Sequence, residues 1–388
     1  MNTSKTKRID VVDSLRGFSL LGILLIHFIE HFNLYYFQSP PLEPYKDINL
    51  GIWETVFFIF SGKAYIIFSF LFGFSFFIQI DNQSKLGYDF RLRYAWRLIL
   101  LLFFAQLHAM FYPGDILVLY AIVGFILIAM SKASNKLVLC TAIILMLQPV
   151  EWYRFAASVI DIDYVAYQKI NWNYFTKVSP VLAEGKLLSV LRTNLWEGQL
   201  FSNLWQIENG RLFQTASLFL LGMLSGRKGI FHKSTDNIRF WKIALTVGIV
   251  GFASFYTLQS YLSEHHSNIS VKTISAIIIP SLKNLFFSAV LVAGYILLWH
   301  NAVLTRLQRG LIPYGKMSLT NYITMAMIGS FVYYGYGLGL NATMNIFFSF
   351  ITAIKVFAIQ LVFSIWWLKH HKQGPMEYLW KKLTWIGK

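Results

Sequence analysis

Apolar residues gather along this chain into ten long runs, near 15–36, 54–80, 97–112, 116–131, 137–152, 211–226, 243–262, 275–300, 317–338 and 346–368. A helix needs about 20 mostly apolar residues to cross the hydrocarbon core of a bilayer. The pattern therefore predicts an all-α fold, a polytopic transmembrane helical bundle of about ten helices. The third and fourth runs are short, and the Pro113-Gly114-Asp115 turn between them also suits a helical hairpin with tilted arms. Residues 153–210 are the one sizeable polar stretch, mixed in charge and carrying Trp172, Tyr174, Trp196 and Trp205. Such aromatics suit amphipathic helices that cap one end of a bundle at the membrane interface. The expected organisation is helices one to five in 1–152, an extracytoplasmic cap in 153–210, and helices six to ten with a basic tail in 211–388.

Composition points to the same setting. Hydrophobic residues make up 56% of the chain and charged residues 13%, about half the roughly 25% charged share of soluble domains. Too few charges remain to cover a water-facing surface, so most of the exterior is expected to face lipid. The net charge of +16 raises the question of nucleic acid. The cations are spread among connecting segments, however, and a groove-reading patch needs them on one soluble face, so no nucleic-acid partner is expected. Their spread is asymmetric. Lys5, Lys7 and Arg8, then Arg91, Arg93 and Arg97, then Arg227, Lys228 and Lys233, then Arg306, Arg309 and Lys316 fall on one set of connections, and the short alternate ones hold only Lys46 and Lys272. The positive-inside rule then places both termini in the cytoplasm of a multi-pass protein of the cell membrane. Basic residues ahead of an apolar run also fit a signal peptide, but Arg16, His27, Glu30 and His31 within it, with no small-residue cleavage site after it, favour a retained first helix. Cys140 is the one cysteine, so neither an intrachain disulfide nor a Cys-based metal site is expected.

Ionisable side chains within apolar runs are costly and so are functional candidates. Arg16 and His27 are eleven residues apart, which returns to nearly the same helix face about 16 Å further along. His31 lies one turn beyond His27, with Glu30 beside it. The third run repeats the arrangement, with Arg97 and His108 eleven apart and Arg93 one turn before Arg97. Each helix thus offers cations at its inner end and imidazole further out. A lone His is equally explained as a hydrogen-bonded packing residue, and two at i, i+4 beside a Glu strengthen the functional reading. Arg91, Arg93 and Arg97 suit the phosphates of a nucleotide-containing cofactor, or simply anchor a helix at the inner face. Asp115 is able to orient an imidazole, to act as a base, or to cap the helix that starts at Ile116. Asn321, with Ser318 and Thr320, adds hydrogen bonding or interhelical glue. Glu54 and Lys63 are too poorly phased to pair along one face. Asn268-Ile269-Ser270 and Asn341-Ala342-Thr343 match the glycosylation tripeptide, which arises often by chance. The sequence has no phosphate-cradling glycine loop, Gly-x-Ser-x-Gly elbow or His-Glu-x-x-His motif, which weakens ATPase and hydrolase readings.

The segment from Asp13 through Leu15-Arg16-Gly17-Phe18 to Leu24 resembles the opening signature of the YeiB-like integral membrane family, a domain of unknown function. The likeness continues through Gly62-Lys63, Leu71-Phe72-Gly73-Phe74, Gly114-Asp115-Ile116-Leu117, Leu221-Gly222-Met223-Leu224, Gly315-Lys316-Met317-Ser318-Leu319-Thr320-Asn321-Tyr322 and Gly374-Pro375-Met376-Glu377. The resemblance implies kinship with the transmembrane acyltransferase superfamily. There, Leu-Arg-Gly followed by a His eleven residues after the Arg opens the O-acetylating branch, a pattern that Arg16 and His27 match. Arginines linked with acyl-CoA in that branch correspond to Arg93 and Arg97. YeiB-like relatives more often have Asn where this chain has His27. The heparan-modifying relative also has Asn there and its essential His further out, where this chain has Gln38-Ser39-Pro40. The base is therefore open between His27 and His31.

Three functions follow as expectations. The first is transfer of an acyl (acetyl) group from acyl-CoA as co-substrate, held by Arg16, Arg91, Arg93 and Arg97, to a small-molecule or glycan acceptor, with His27, His31, Asp115 and His108 as catalytic candidates and no metal. The second is a transporter of a small polar or anionic solute. The third is a membrane scaffold or sensor. Expected partners are membrane lipids and, as one assembly open to the chain, a homodimer.

Overall fold

The computed structural model describes residues 9–35, 45–161, 163–165, 167–265, 268–300, 302–341 and 343–386. Lys5, Lys7, Arg8, the Gln38-Ser39-Pro40 stretch and Ala342 of the second glycosylation tripeptide lie outside the described residues. The chain begins with α1 (Asp10–Ile26), which continues into a π turn at His27–His31. There follow α2 (Lys46–Phe60), α3 (Lys63–Ser84), α4 (Arg91–Ala109), the short α5 (Leu117–Val123) and α6 (Phe125–Ala129), α7 (Asn135–Met146) and α8 (Pro149–Ile160). The polar stretch folds as α9 (Asn171–Glu184), α10 (Leu187–Thr193), a second π turn (Asn194–Gly198) and α11 (Gln199–Glu208). Then come α12 (Arg211–Lys228), α13 (Thr235–His265), α14 (Ile269–Trp299), α15 (Ala302–Gly310), α16 (Ile312–Lys316), α17 (Ser318–Tyr333), α18 (Ile346–His370) and α19 (Pro375–Thr384). No strand occurs among the described residues.

Helices occupy all ten apolar runs, but length and hydropathy together single out fewer spans. Five segments are long and apolar enough to cross a bilayer: Asp10–His31, Lys46–Ser84, Thr235–Leu262, Ile269–Trp299 and Ile346–His370. The count is six if α7 and α8, bent by 41°, act as one span. The other runs fall short for local reasons. α4 opens with Arg91, Arg93 and Arg97, and the fourth run breaks at Gly124 between α5 and α6. The second run is itself two helices, broken where Gly62 takes the left-handed conformation (φ 73°).

The spans differ in what surrounds them. Asp10–His31 is 78% buried, whereas Thr235–Leu262 is 11% buried at a mean hydropathy of 1.5. A helix apolar all round belongs inside a bundle or in lipid, and α1 takes the first place while α13 presents its apolar side chains outward. That exterior is compatible with a membrane protein. Two close crossings hold the centre together. On Gly73 of α3 a Cβ would lie 1.9 Å from the Phe219 carbonyl of α12, and on Gly222 it would lie 1.9 Å from the Phe70 carbonyl. Small residues let helix backbones touch where apolar burial supplies no drive. Gly315 of α16 meets α1 in the same way, its Cβ position 1.8 Å from the Asp13 carbonyl.

The polar stretch packs at the end of α1 remote from Asp13, where Tyr35 meets Trp172 and Phe175 of α9. Glu208 accepts from the Ile170 and Asn171 N–H groups and so caps the start of α9 from α11. Gly73→Ala is expected to force α3 and α12 apart and cost at least about 1–3 kcal/mol. An unchanged thermal unfolding temperature in detergent would show that the backbones do not touch there.

Candidate functional site

Three separate parts of the chain bring imidazole, phenol and carboxyl groups together beneath the cap. α1 supplies the first part. Its last turn widens so that the Phe32 N–H donates to the His27 carbonyl, five residues back, at 2.8 Å. Such π turns cluster at functional sites, and here the His27 and His31 rings lie with centroids 5.0 Å apart and planes tilted by 40°. Leu34 and Tyr35 follow with positive φ of 55° and 56°, an uncommon conformation for residues with a Cβ. The His31 Nε2 lies 3.1 Å from the Glu30 carboxylate, and its Nδ1 bonds the Tyr112 hydroxyl at 2.6 Å. The Tyr112 ring sits 4.7 Å from that of His27.

α4 and the turn after it supply the second part. His108 and Asp115 are fully buried, with His108 Nδ1 2.9 Å from Asp115 Oδ1. The approach is close, but its angle falls short of a directed hydrogen bond, and His108 Nε2 is also buried without a partner among the described residues. Asp115 divides its work. Its Oδ2 accepts from the Val118 N–H and caps α5, its Oδ1 faces His108, and its carbonyl accepts from Ser202 Oγ and Gln206 Nε2 of the cap. Asn194 adds a bond to the Met110 carbonyl. The cap thus fixes the backbone of the turn that carries the acid.

α17 supplies the third part. Tyr322 stacks on His108 with centroids 4.1 Å apart and planes 10° apart, and its ring lies 6.4 Å from His27. Behind it Asn321 donates to the Tyr314 carbonyl and to Ser364 Oγ, which ties α17 to α18.

Tyr322 also lines a cavity of about 1080 Å³ that opens near the start of α1, together with Arg16, Ser75, Arg97, Lys316 and Glu377. Two of the arginines expected from the sequence therefore face this space. Arg16 is held by Asp13 at 2.7 Å and Ser75 at 2.8 Å. Arg97 lies over the Trp380 ring at 4.2 Å and donates to Thr384 Oγ1. Arg93 turns instead to the Thr384 and Ile386 carbonyls. Arg91 pairs at the surface with Asp89, whose carboxyl its guanidinium holds well below the usual range. Neither Arg91 nor Arg93 lines the cavity. Of the sequence candidates, His27, His31, His108 and Asp115 come together in one cluster, and Arg16 and Arg97 stand in the adjoining cavity. Tyr112, Tyr322, Ser75, Lys316 and Glu377 were not singled out from the sequence. Tyr322, Lys316 and Glu377 stand within the segments that carry the family resemblance, which is the signal that marks them. Lys63, nearly buried, donates to the Phe57 carbonyl, while Glu54 is exposed. No group of three His, Cys, Asp or Glu among the described residues is placed to hold a metal ion.

A helical bundle with several long apolar helices on its exterior and a cluster of buried polar groups is compatible with a membrane protein. The chain is similar to the YeiB-like proteins: residues 225–387 match the family described as Protein of unknown function (DUF418). It is 26% identical over 99% of its length to the uncharacterized protein YxaH of Bacillus subtilis, covering 96% of that relative. It is 25% identical over 96% of its length to the uncharacterized protein YeiB of Escherichia coli, covering 95% of it. An uncharacterized 39.9 kDa protein of Bacillus acidopullulyticus is similarly 25% identical over 98% of this chain, of which 95% is covered. No solved structure matches the chain.

Two stability tests follow. Asp115→Asn is expected to keep the cap on α5, and Asp115→Ala to lose it at a further cost of about 1 kcal/mol. Equal unfolding temperatures for the two variants would remove the capping role. Glu377 accepts from the Leu319 N–H at 2.7 Å, the Thr320 N–H at 3.1 Å and Thr320 Oγ1 at 2.6 Å. Burial nevertheless pushes its carboxyl above the ordinary 4.5, outweighing the hydrogen bonds that pull it down. The folded state then binds this proton more tightly than the unfolded chain does. Its contribution is full below 4.5 and is lost as pH rises through the raised value. Unfolding temperatures measured from acid to neutral pH should show this fall in the wild type, and a flatter profile in Glu377→Gln.

Proposed function

We propose that this protein is a membrane acyltransferase that moves an acyl group from acyl-CoA to a hydroxyl or amine acceptor. The observation that carries the reading is the juxtaposition at Tyr322, one side of which lines a cation-bearing cavity while its face stacks on the buried His108 that Asp115 adjoins. In this reading the phosphates of acyl-CoA lie toward Arg16, Arg97 and Lys316, and the thioester points toward Tyr322. The acceptor enters from the capped end, where His31, Glu30 and Tyr112 form a polar path. Its hydroxyl attacks the acyl carbonyl, an imidazole takes the hydroxyl proton, the carbon–sulfur bond breaks and the thiolate leaves. His108 is the first candidate base because Asp115 Oδ1 lies 2.9 Å from its Nδ1 and Tyr322, which lines the cavity, stacks on its ring. His27, whose Nδ1 is buried without a hydrogen-bond partner among the described residues, is the second candidate. In this reading the cavity opens to the cytoplasm and the cap lies on the other side, with acetyl-CoA as the simplest donor.

A second reading draws on the same chain of groups. Glu30, His31 and Tyr112, linked at 3.1 and 2.6 Å, resemble a proton relay of the kind that transporters use. One experiment separates the two. Purified wild-type protein is expected to bind acetyl-CoA, Arg16→Ala/Arg97→Ala to bind it far more weakly, and His108→Ala to bind it normally while transfer falls by roughly 10²–10⁴. Absence of acetyl-CoA binding, with solute flux into proteoliposomes, would replace the enzyme by the transporter.

A further inference from the structure

A second concavity, about 810 Å³, lies beside the start of α1, between the connection from α12 to α13 and the helix α15. Its wall carries Lys233, Arg306 and Arg309, with His232, His300 and Thr305 between them. No carboxylate forms an ion pair with Lys233, Arg306 or Arg309 among the described residues. The one acid on the rim, Asp10, is turned toward Lys316 at 3.9 Å. Three cations gathered without a counter-charge repel one another, and an anion seated among them removes that cost.

The frame around these cations is fixed. Asn237 Nδ2 donates to the Gly229 and His232 carbonyls, and Trp241 Nε1 donates to the Ile230 carbonyl, which pins the connection carrying Lys233. On the other side Gln308 is buried, donates to the Tyr295 carbonyl and accepts through its own carbonyl from Ser14. The Arg309 guanidinium lies 5.9 Å over the Trp299 ring. On α15, Thr305, Arg306 and Arg309 share one face at helical spacing, and all three line the pocket. Leu304 and Leu307 occupy the opposite side and are exposed, Leu307 at 76%. A short helix of this kind, cationic on one side and apolar on the other, and following a span that ends in Trp299, fits the plane of a membrane surface. Lys233 and His300 both line this pocket.

We propose that Lys233, Arg306 and Arg309 form a binding site for a phosphate group, supplied by an anionic lipid headgroup or by a soluble phosphate compound. Guanidinium groups match phosphate oxygens in pairs, and an ammonium completes the charge. Basic pockets at the ends of membrane helices bind lipid headgroups through this chemistry. The site adjoins the cavity proposed to hold acyl-CoA through Ile9 and His232, but none of its three cations lines that cavity.

The test is the thermal unfolding of detergent-solubilised full-length protein titrated with phosphatidylglycerol, phosphatidylcholine or inorganic phosphate. Phosphatidylglycerol is expected to raise the unfolding temperature and phosphatidylcholine not to. Lys233→Gln/Arg306→Gln/Arg309→Gln should weaken the phosphatidylglycerol response by about a hundredfold in the concentration required. A matching response to inorganic phosphate, lost in the same variant, supports the site and assigns it to soluble phosphate compounds. If the triple variant does not fold, Arg306→Gln alone carries the test, with an expected loss of about fivefold. Equal responses of wild type and variant to both anions overturn the proposal.

Discussion

Polar groups withdrawn from water into an apolar bundle have to be answered by one another, because no solvent is left to do it. In this protein the contact of His108 with Asp115 is the centre of that requirement. The acid is tied to the start of α5, to the cap through its carbonyl, and to the imidazole of α4. Removing any one of those ties would leave a buried group exposed to desolvation cost without return. The cap, the short broken helices α5 and α6, and the stacking of Tyr322 all take their places around this point. The outer helices are held less specifically, by apolar surface and by crossings of small residues.

Much of this arrangement was legible in the sequence because it depends on helical spacing. The eleven-residue intervals from Arg16 to His27 and from Arg97 to His108 describe two helices that each carry a cation near one end and an imidazole near the other. In the structure Arg16 and Arg97 line the cavity and the two imidazoles both lie against Tyr322. Helix content and its location were equally readable, since uninterrupted apolar runs leave few alternatives. The number of membrane crossings was less so. Hydropathy alone counts ten runs, yet among the described residues only five segments combine length with enough apolar residues, because breaks such as Gly124 and charged openings such as that of α4 shorten the others.

The aromatic part of the site was not legible for a different reason. Aromatic residues form 18% of this chain, so Tyr112 and Tyr322 do not stand out from dozens of others until the fold places their rings against histidines. The fate of Arg93 was hidden in the same way. A guanidinium at a helix end reads as a ligand for phosphate, but here backbone carbonyls at and just beyond the end of α19 accept from it, and sequence spacing gives no hint of that partner almost three hundred positions away.

The π turn at the end of α1 carries one residue more than an α-helix would place there. The helix is therefore out of phase with itself on either side of this turn. Residues before His27 keep the register that packs Leu20 and Leu24 into the core, while those after it are rotated by about 100° relative to where regular winding would put them. A single deletion between 27 and 31 would restore regular winding, and the whole tail of the helix, with His31 and its link to Tyr112, would swing to another wall of the bundle. The extra residue thus acts as a fixed offset that lets one continuous helix serve two differently oriented sets of neighbours.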